Sequence, residues 1–151
     1  MQIFFVETLA GEQRQLLCRW VEYFYEDGRR VHIMTESTLA AQHLDELLWT
    51  FSQPSFVPHR ILSSAHAGQV AEPVIITTGE APMDGFDILV FDGPLKLDLL
   101  AGYAAAVHFV VRDDSERLQE SRLMWQTARD GGFRTHHVSY SSNTRFPSLA
   151  V

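Results

Sequence analysis

The chain has 151 residues, 46% of them apolar, and a formal net charge of −7. That length suits one domain with a real core, and no segment approaches the roughly 18 apolar residues of a membrane-spanning helix. The acidic balance excludes a broad basic surface for direct nucleic-acid binding; residues 1–111 carry six basic and fourteen acidic side chains, residues 112–151 six and five, so a local basic site belongs near the C-terminus.

Residues 2–7 form an apolar run suited to a buried strand, with no secretory leader ahead of it, so a cytoplasmic location is expected. Gly11 separates this run from a helix whose apolar residues Leu16, Leu17, Trp20, Val21 and Phe24 share one face. Within that helix Cys18, the lone cysteine, reads as a small core residue with no disulfide partner. Gly28 supplies the helix stop, and residues 30–35 give a second strand. Thr35 or Ser37 is placed to cap the next helix, where Ala40, Leu44, Leu47, Leu48 and Phe51 recur at i+3 and i+4 and Trp49 lies off the stripe. Pro54 and Pro58 then stop regular structure, and residues 63–73, rich in Ser, Ala and Gly, are expected to be a flexible connection.

Further strands are expected at 74–77, 87–91 and 106–111, with a brief helix over 95–103. Asp113 is placed to cap a helix reaching Arg129, with Glu116 at the reciprocal position of a capping box. Gly131 and Gly132 end that helix, and residues 133–139 supply a last strand. Residues 1–139 therefore read as a single domain, followed by a loosely held tail over 140–151. Helices alternating with short apolar strands define an α/β fold, a three-layer sandwich around a mostly parallel sheet.

Such a pattern raises the question of a nucleotide. The first strand-to-helix turn, Glu7-Thr8-Leu9-Ala10-Gly11-Glu12, has one glycine and two carboxylates, whereas a dinucleotide site needs glycines that admit the pyrophosphate and a Walker loop needs Gly-Lys-Ser/Thr. No cofactor is expected. Seven histidines invite a metal reading, but His136 and His137 are strand neighbours pointing to opposite faces, and His59 and His108 lack a partner at ligand spacing, so no metal is expected. Asp45 and Glu46 diverge by about 100 degrees on a helix and read as a solvated face rather than a catalytic pair. No serine sits in a nucleophile elbow.

Two groups of residues fit docking better than catalysis. Trp49, at a helix end, and Phe56, in a proline-stiffened loop with Val57 and Pro58, are large apolar side chains placed where the chain turns, as partner-binding anchors are. The alternative is that Phe56 lids the sheet edge. In the later helix, Leu118, Arg122, Trp125 and Arg129 lie along one strip. Two guanidinium groups bracketing an aromatic ring suit an acidic peptide with a hydrophobic end, the alternative being a core Trp125 with arginines snorkelling at its edge.

The blocks Leu44-Asp45-Glu46-Leu47-Leu48-Trp49 and Ser55-Phe56-Val57-Pro58-His59 resemble the chi subunit family of bacterial DNA polymerase III, in which L-D-E-x-L-W precedes S-F-V-P-H. Phe4-Phe5, Gly28-Arg29-Arg30-Val31, Asp87-Ile88-Leu89, Phe109-Val110 and Gly132-Phe133 extend the resemblance over roughly residues 2–137. It implies a Rossmann-like fold and a non-catalytic clamp-loader accessory protein. The family binds the acidic C-terminal tail of single-stranded DNA-binding protein through residues matching Val110, Arg122 and Trp125, and Arg129 extends that strip here. The family's lysine after the aromatic is Gln126 in this chain. The surface matching Trp49 and Phe56, with Val57 and Pro58, is implied to contact the psi subunit or an alternative helicase-like partner. Three classes of function stay open: this adaptor, a chi-like interaction module of another complex or a repair helicase, and a small α/β enzyme.

Overall fold

A computed structural model describes residues 1–52, 54, 56–62 and 70–149. Of the connection expected over 63–73, residues 63–69 lie outside the described residues. The strands are β1 (Gln2–Thr8), β2 (Val31–Thr35), β3 (His59–Leu62), β4 (Val74–Thr78), β5 (Ile88–Phe91), β6 (Ala105–Val111) and β7 (Arg134–Val138). They form one sheet in the order β3-β4-β2-β5-β6-β1-β7. Every neighbouring pair is parallel, so the sheet is more uniform than the expected mostly parallel one.

A parallel sheet must be covered on both faces, which is why its central strands are apolar throughout rather than alternating. All seven residues of β6 are buried. The helices are α1 (Gln13–Glu26), α2 (Thr38–Thr50) and α3 (Ser115–Asp130). On one face Leu17, Trp20, Val21 and Phe24 of α1 and Ala41, Leu44 and Leu48 of α2 pack with Phe4, Val6, Ile33, Val90 and Val107. On the other, Ala128 of α3 and Leu95, Leu99 and Tyr103 of the connection before β6 pack with Ile3, Phe5, Leu89 and Val110. These are the three layers of the α/β sandwich.

Local chemistry sets the helix ends. Ser37, not Thr35, caps α2, its hydroxyl accepting from the Ala40 N–H at 3.1 Å; the Thr35 hydroxyl instead donates to the Thr77 carbonyl in the neighbouring strand. Asp114, not Asp113, caps α3 by accepting from the Arg117 N–H at 3.2 Å, so Glu116 is one position too early for a reciprocal capping box. Asp113 accepts from the Ala10 N–H at 2.8 Å and so ties α3's approach to the turn after β1. Gly28 and Gly132 end α1 and α3 at φ of 78° and 86°, the left-handed backbone that glycine adopts without a Cβ penalty. Over 95–103 only Leu97–Leu99 is helical, as a single 3₁₀ turn.

The C-terminal segment is a second correction. The Trp20 indole N–H donates to the Asn143 carbonyl at 2.9 Å, the Tyr23 hydroxyl to the Pro147 carbonyl, and Arg29 to the Leu149 carbonyl at 3.2 Å. Phe146 stacks on Tyr23 with centroids 4.9 Å apart and meets Trp20 edge-on at 5.2 Å, while Leu149 joins the core. A buried indole needs an acceptor for its N–H, and this segment supplies one. Residues 140–149 are packed against α1, not loosely held.

Candidate functional site

The first exposed aromatic patch follows from the α2 stripe. Leu44 and Leu48 face the core, which turns Trp49, one position on, outward. Trp49 is 48% exposed and Phe56 66%, and their ring centroids lie 5.5 Å apart. Contact between two aromatic rings outside the core holds both in place without hiding them. Pro58 is half-buried, whereas Val57 is fully buried in the α1/α2 core layer. In extended chain neighbours point to opposite sides, so the segment shows Phe56 to solvent and roots itself with Val57. Val57 therefore supports the patch from beneath and offers no side-chain contact to a partner.

Beneath Trp49 lies His59, the first residue of β3, with ring centroids 4.2 Å apart. Its Nδ1 is 2.7 Å from the Val57 carbonyl oxygen, and its Nε2 is 3.0 Å from the Asp45 carbonyl and 3.1 Å from Asp45 Oδ1. Asp45, read from the sequence as part of a solvated face, thus has a histidine partner 14 positions away. Sequence spacing gives no signal for that contact, because it exists only once the chain after α2 has turned back.

The second patch lies on α3. Trp125 is half-buried and packs against the core layer that contains Val110, with Leu118, Met124 and Phe133 beside it. The Arg129 guanidinium lies over the Trp125 ring, 4.8 Å from its centroid. Arg122 is exposed and, among the described residues, has neither a hydrogen bond nor an ion pair. Val110 is only 8% exposed, so it is a floor under this face rather than a contact surface of its own. Gln126 donates to Asp130 Oδ1 at 3.0 Å. Leu123, 62% exposed, lies about 200 degrees around α3 from Trp125 and belongs to the helix's solvent side, not to this strip.

A cleft of about 790 Å³ opens at the C-terminal ends of the central strands, between the start of α1 and α3. Open parallel sheets bind ligands at such places. Here several of the polar groups bind one another, while His108 Nδ1 is buried without a hydrogen bond among the described residues. Arg14 reaches both oxygens of Asp92, at 3.2 and 3.0 Å, Gln13 donates to the Asp92 carbonyl at 2.9 Å, and Arg117 donates to Gln13 Oε1 at 2.8 Å. Burial raises the Asp92 carboxyl above its ordinary range despite the opposing Arg14. The two carboxylates of the first turn face the C-terminal segment instead: Glu7 accepts from the Tyr140 N–H, and Glu12 from the Tyr140 hydroxyl. His136 and His137 diverge, to Gln2 and Glu7 respectively. Among the described residues no group of three or more His, Cys, Asp or Glu is placed to hold a metal ion, and no helix is long and apolar enough to cross a membrane.

Fold and surfaces together define an all-parallel α/β sandwich with two separate aromatic faces outside its core. The fold is shared with the crystal structure of T4 UvsW, at a TM-score of 0.64 and 10% sequence identity, over 91% of this chain and 40% of that one. The family model of the DNA polymerase III chi subunit, HolC, matches residues 1–136, and the chain belongs to this family. Curated relatives named DNA polymerase III subunit chi are 29% identical over 127 residues in Escherichia coli K12 (83% of this chain, 84% of the relative) and 28% over 113 in Haemophilus influenzae Rd (74% and 76%). The Pseudomonas aeruginosa PAO1 relative is 26% identical over 120 residues, or 79% of this chain and 80% of its own. Family membership carries a replication accessory role.

Proposed function

We propose that the protein is a non-catalytic adaptor that links the DNA polymerase III clamp-loader complex to single-stranded DNA-binding protein. The α3 face takes the acidic C-terminal tail of that protein: Arg122 and Arg129 pair with its carboxylates, and Trp125, over the Val110 floor, receives its apolar end. Trp49 and Phe56, with Pro58 beside them and Val57 rooting the segment, dock a psi subunit or an alternative helicase-like partner. The observation that carries the reading is Arg122, an exposed guanidinium with no partner among the described residues, on the same helix strip as the half-buried Trp125 in a chain of net charge −7.

Titration of a labelled tail peptide into wild-type and Arg122→Ala protein tests it. Binding should weaken with added salt, because the ion pairs are exposed, and should fall in the variant. No binding, or equal affinity for both proteins, would contradict it. Bare single-stranded DNA should bind poorly by comparison. The second reading, an interaction module serving a repair helicase or another complex, is favoured by Gln126, whose amide is engaged by Asp130 where the family carries a lysine. On that reading the Trp49/Phe56 patch keeps its partner and the tail binds weakly.

A further inference from the structure

His59 differs from the core histidines in what surrounds its ring. His32 Nδ1 and Nε2 each meet a hydroxyl, Tyr103 Oη and Thr77 Oγ1, both at 2.7 Å. A hydroxyl either donates or accepts, so a neutral ring satisfies both contacts. His59 meets only oxygens that accept: the Val57 carbonyl at Nδ1, and the carbonyl and carboxylate of Asp45 at Nε2. Turning the ring over would replace both nitrogens by carbons and lose these contacts. The ring, with a side chain that is 0% exposed, therefore bridges the Val57 carbonyl to Asp45.

We infer that His59 is the positioning residue of the Trp49–Phe56 surface, a buried imidazole that clasps the carbonyl next to Phe56 to the last turns of α2 and packs against the Trp49 ring. Asp45 and Trp49 are i and i+4 on α2, so both project toward the same ring. The clasp joins the two chain segments that carry the aromatic pair, and it fixes their 5.5 Å contact before any partner arrives. Among the described residues no other charged side chain makes a hydrogen bond or ion pair with the ring. Arg60, next along β3, is directed to Glu72 at 3.8 Å, and the β4 residue in register with His59 is the uncharged Val74. The inference deepens the partner reading of this surface and rests on it for its biological purpose, though the clasp itself is read from geometry alone.

His59→Phe keeps an aromatic ring under Trp49 but removes both ring nitrogens, and Asp45→Ala removes the carboxylate that meets Nε2. In both, amide exchange in the full-length protein at Trp49, Thr50 and Phe51, in the last turn of α2, should quicken by about tenfold with β1 and β6 unchanged. Unchanged exchange in both variants overturns the clasp. Capture of the reconstituted clamp-loader complex separates this from the partner reading. Capture that falls for Trp49→Ala but not for His59→Phe overturns the positioning role. Capture unmoved by either variant, with exchange still quickened, supports the clasp and removes the partner reading instead.

Discussion

Trp49 and Trp125 each sit on a helix beside a nitrogen-bearing side chain, His59 and Arg129, but these stand on opposite sides. His59 is buried beneath Trp49 and leaves the outer part of the ring to solvent, next to Phe56. Arg129 is exposed and lies over Trp125, whose other side is already taken by the core. A side chain packed below presents an aromatic ring; one lying above covers it. The first patch is preorganised for an apolar anchor, while the second offers a mobile charge with an apolar ledge, which suits a flexible acidic peptide.

Trp20 marks the limit of the comparison, being wholly inside and tied to Asn143. Trp20→Ala should lower unfolding free energy by about 3–5 kcal/mol and free the C-terminal segment, measured by denaturant melts and proteolysis near Phe146. Trp49→Ala should cost far less stability. Equal losses would place Trp49 in the core.

Acid should separate the two layers. His32 and His108 both lie on the α3 side of the sheet; burial drives the His32 imidazole down to about 4, and burial together with nearby Arg117 does the same to His108. The unfolded chain takes up protons that these rings refuse, so their contribution is complete above about pH 6.5 and is lost as pH falls toward 4, roughly 3 kcal/mol for each. Amide exchange against pH should show the sheet's α3 side loosening in that window, and His32→Gln should flatten the slope. A stability profile level from pH 7 to pH 4 would contradict this.

Partner capture should fall by about 2 kcal/mol or more in Trp49→Ala and in Phe56→Ala, as it does for aromatic anchors, with the fold intact by circular dichroism. Arg129→Ala should have the smallest effect, about 0.5–1 kcal/mol of stability from the lost cation–ring contact. Its tryptophan fluorescence should report a more exposed Trp125; an unchanged spectrum would mean that the guanidinium does not cover the ring in solution.

Much of this was legible in the residues. The β1 and β6 runs are apolar on both faces, as only a buried parallel strand needs to be, and the α1 and α2 stripes name their core side chains. β3 was not anticipated, because His59–Leu62 is a four-residue edge strand, buried only at its ends and preceded by Pro58. The burial of Val57 was readable from the alternation of an extended segment, given that Phe56 points outward. Val110 was placed correctly in a strand, but its covering by α3 depends on tertiary packing. The docking of residues 140–149 was hidden for a similar reason: serines and a proline suggest a loose tail, while what holds it is an indole N–H in α1 that needs an acceptor. Contacts such as Asp45 with His59 have no periodic signature at all.

On the proposed function the two docking faces act independently, one taking the tail of single-stranded DNA-binding protein and one a partner subunit. The direct test is a crossed binding measurement, with tail-peptide titration and clamp-loader capture both performed on Arg122→Ala and Trp49→Ala protein. Arg122→Ala should lose the peptide and keep the complex, and Trp49→Ala should lose the complex and keep the peptide. Loss of both activities in either folded variant, or of neither in both, would contradict it.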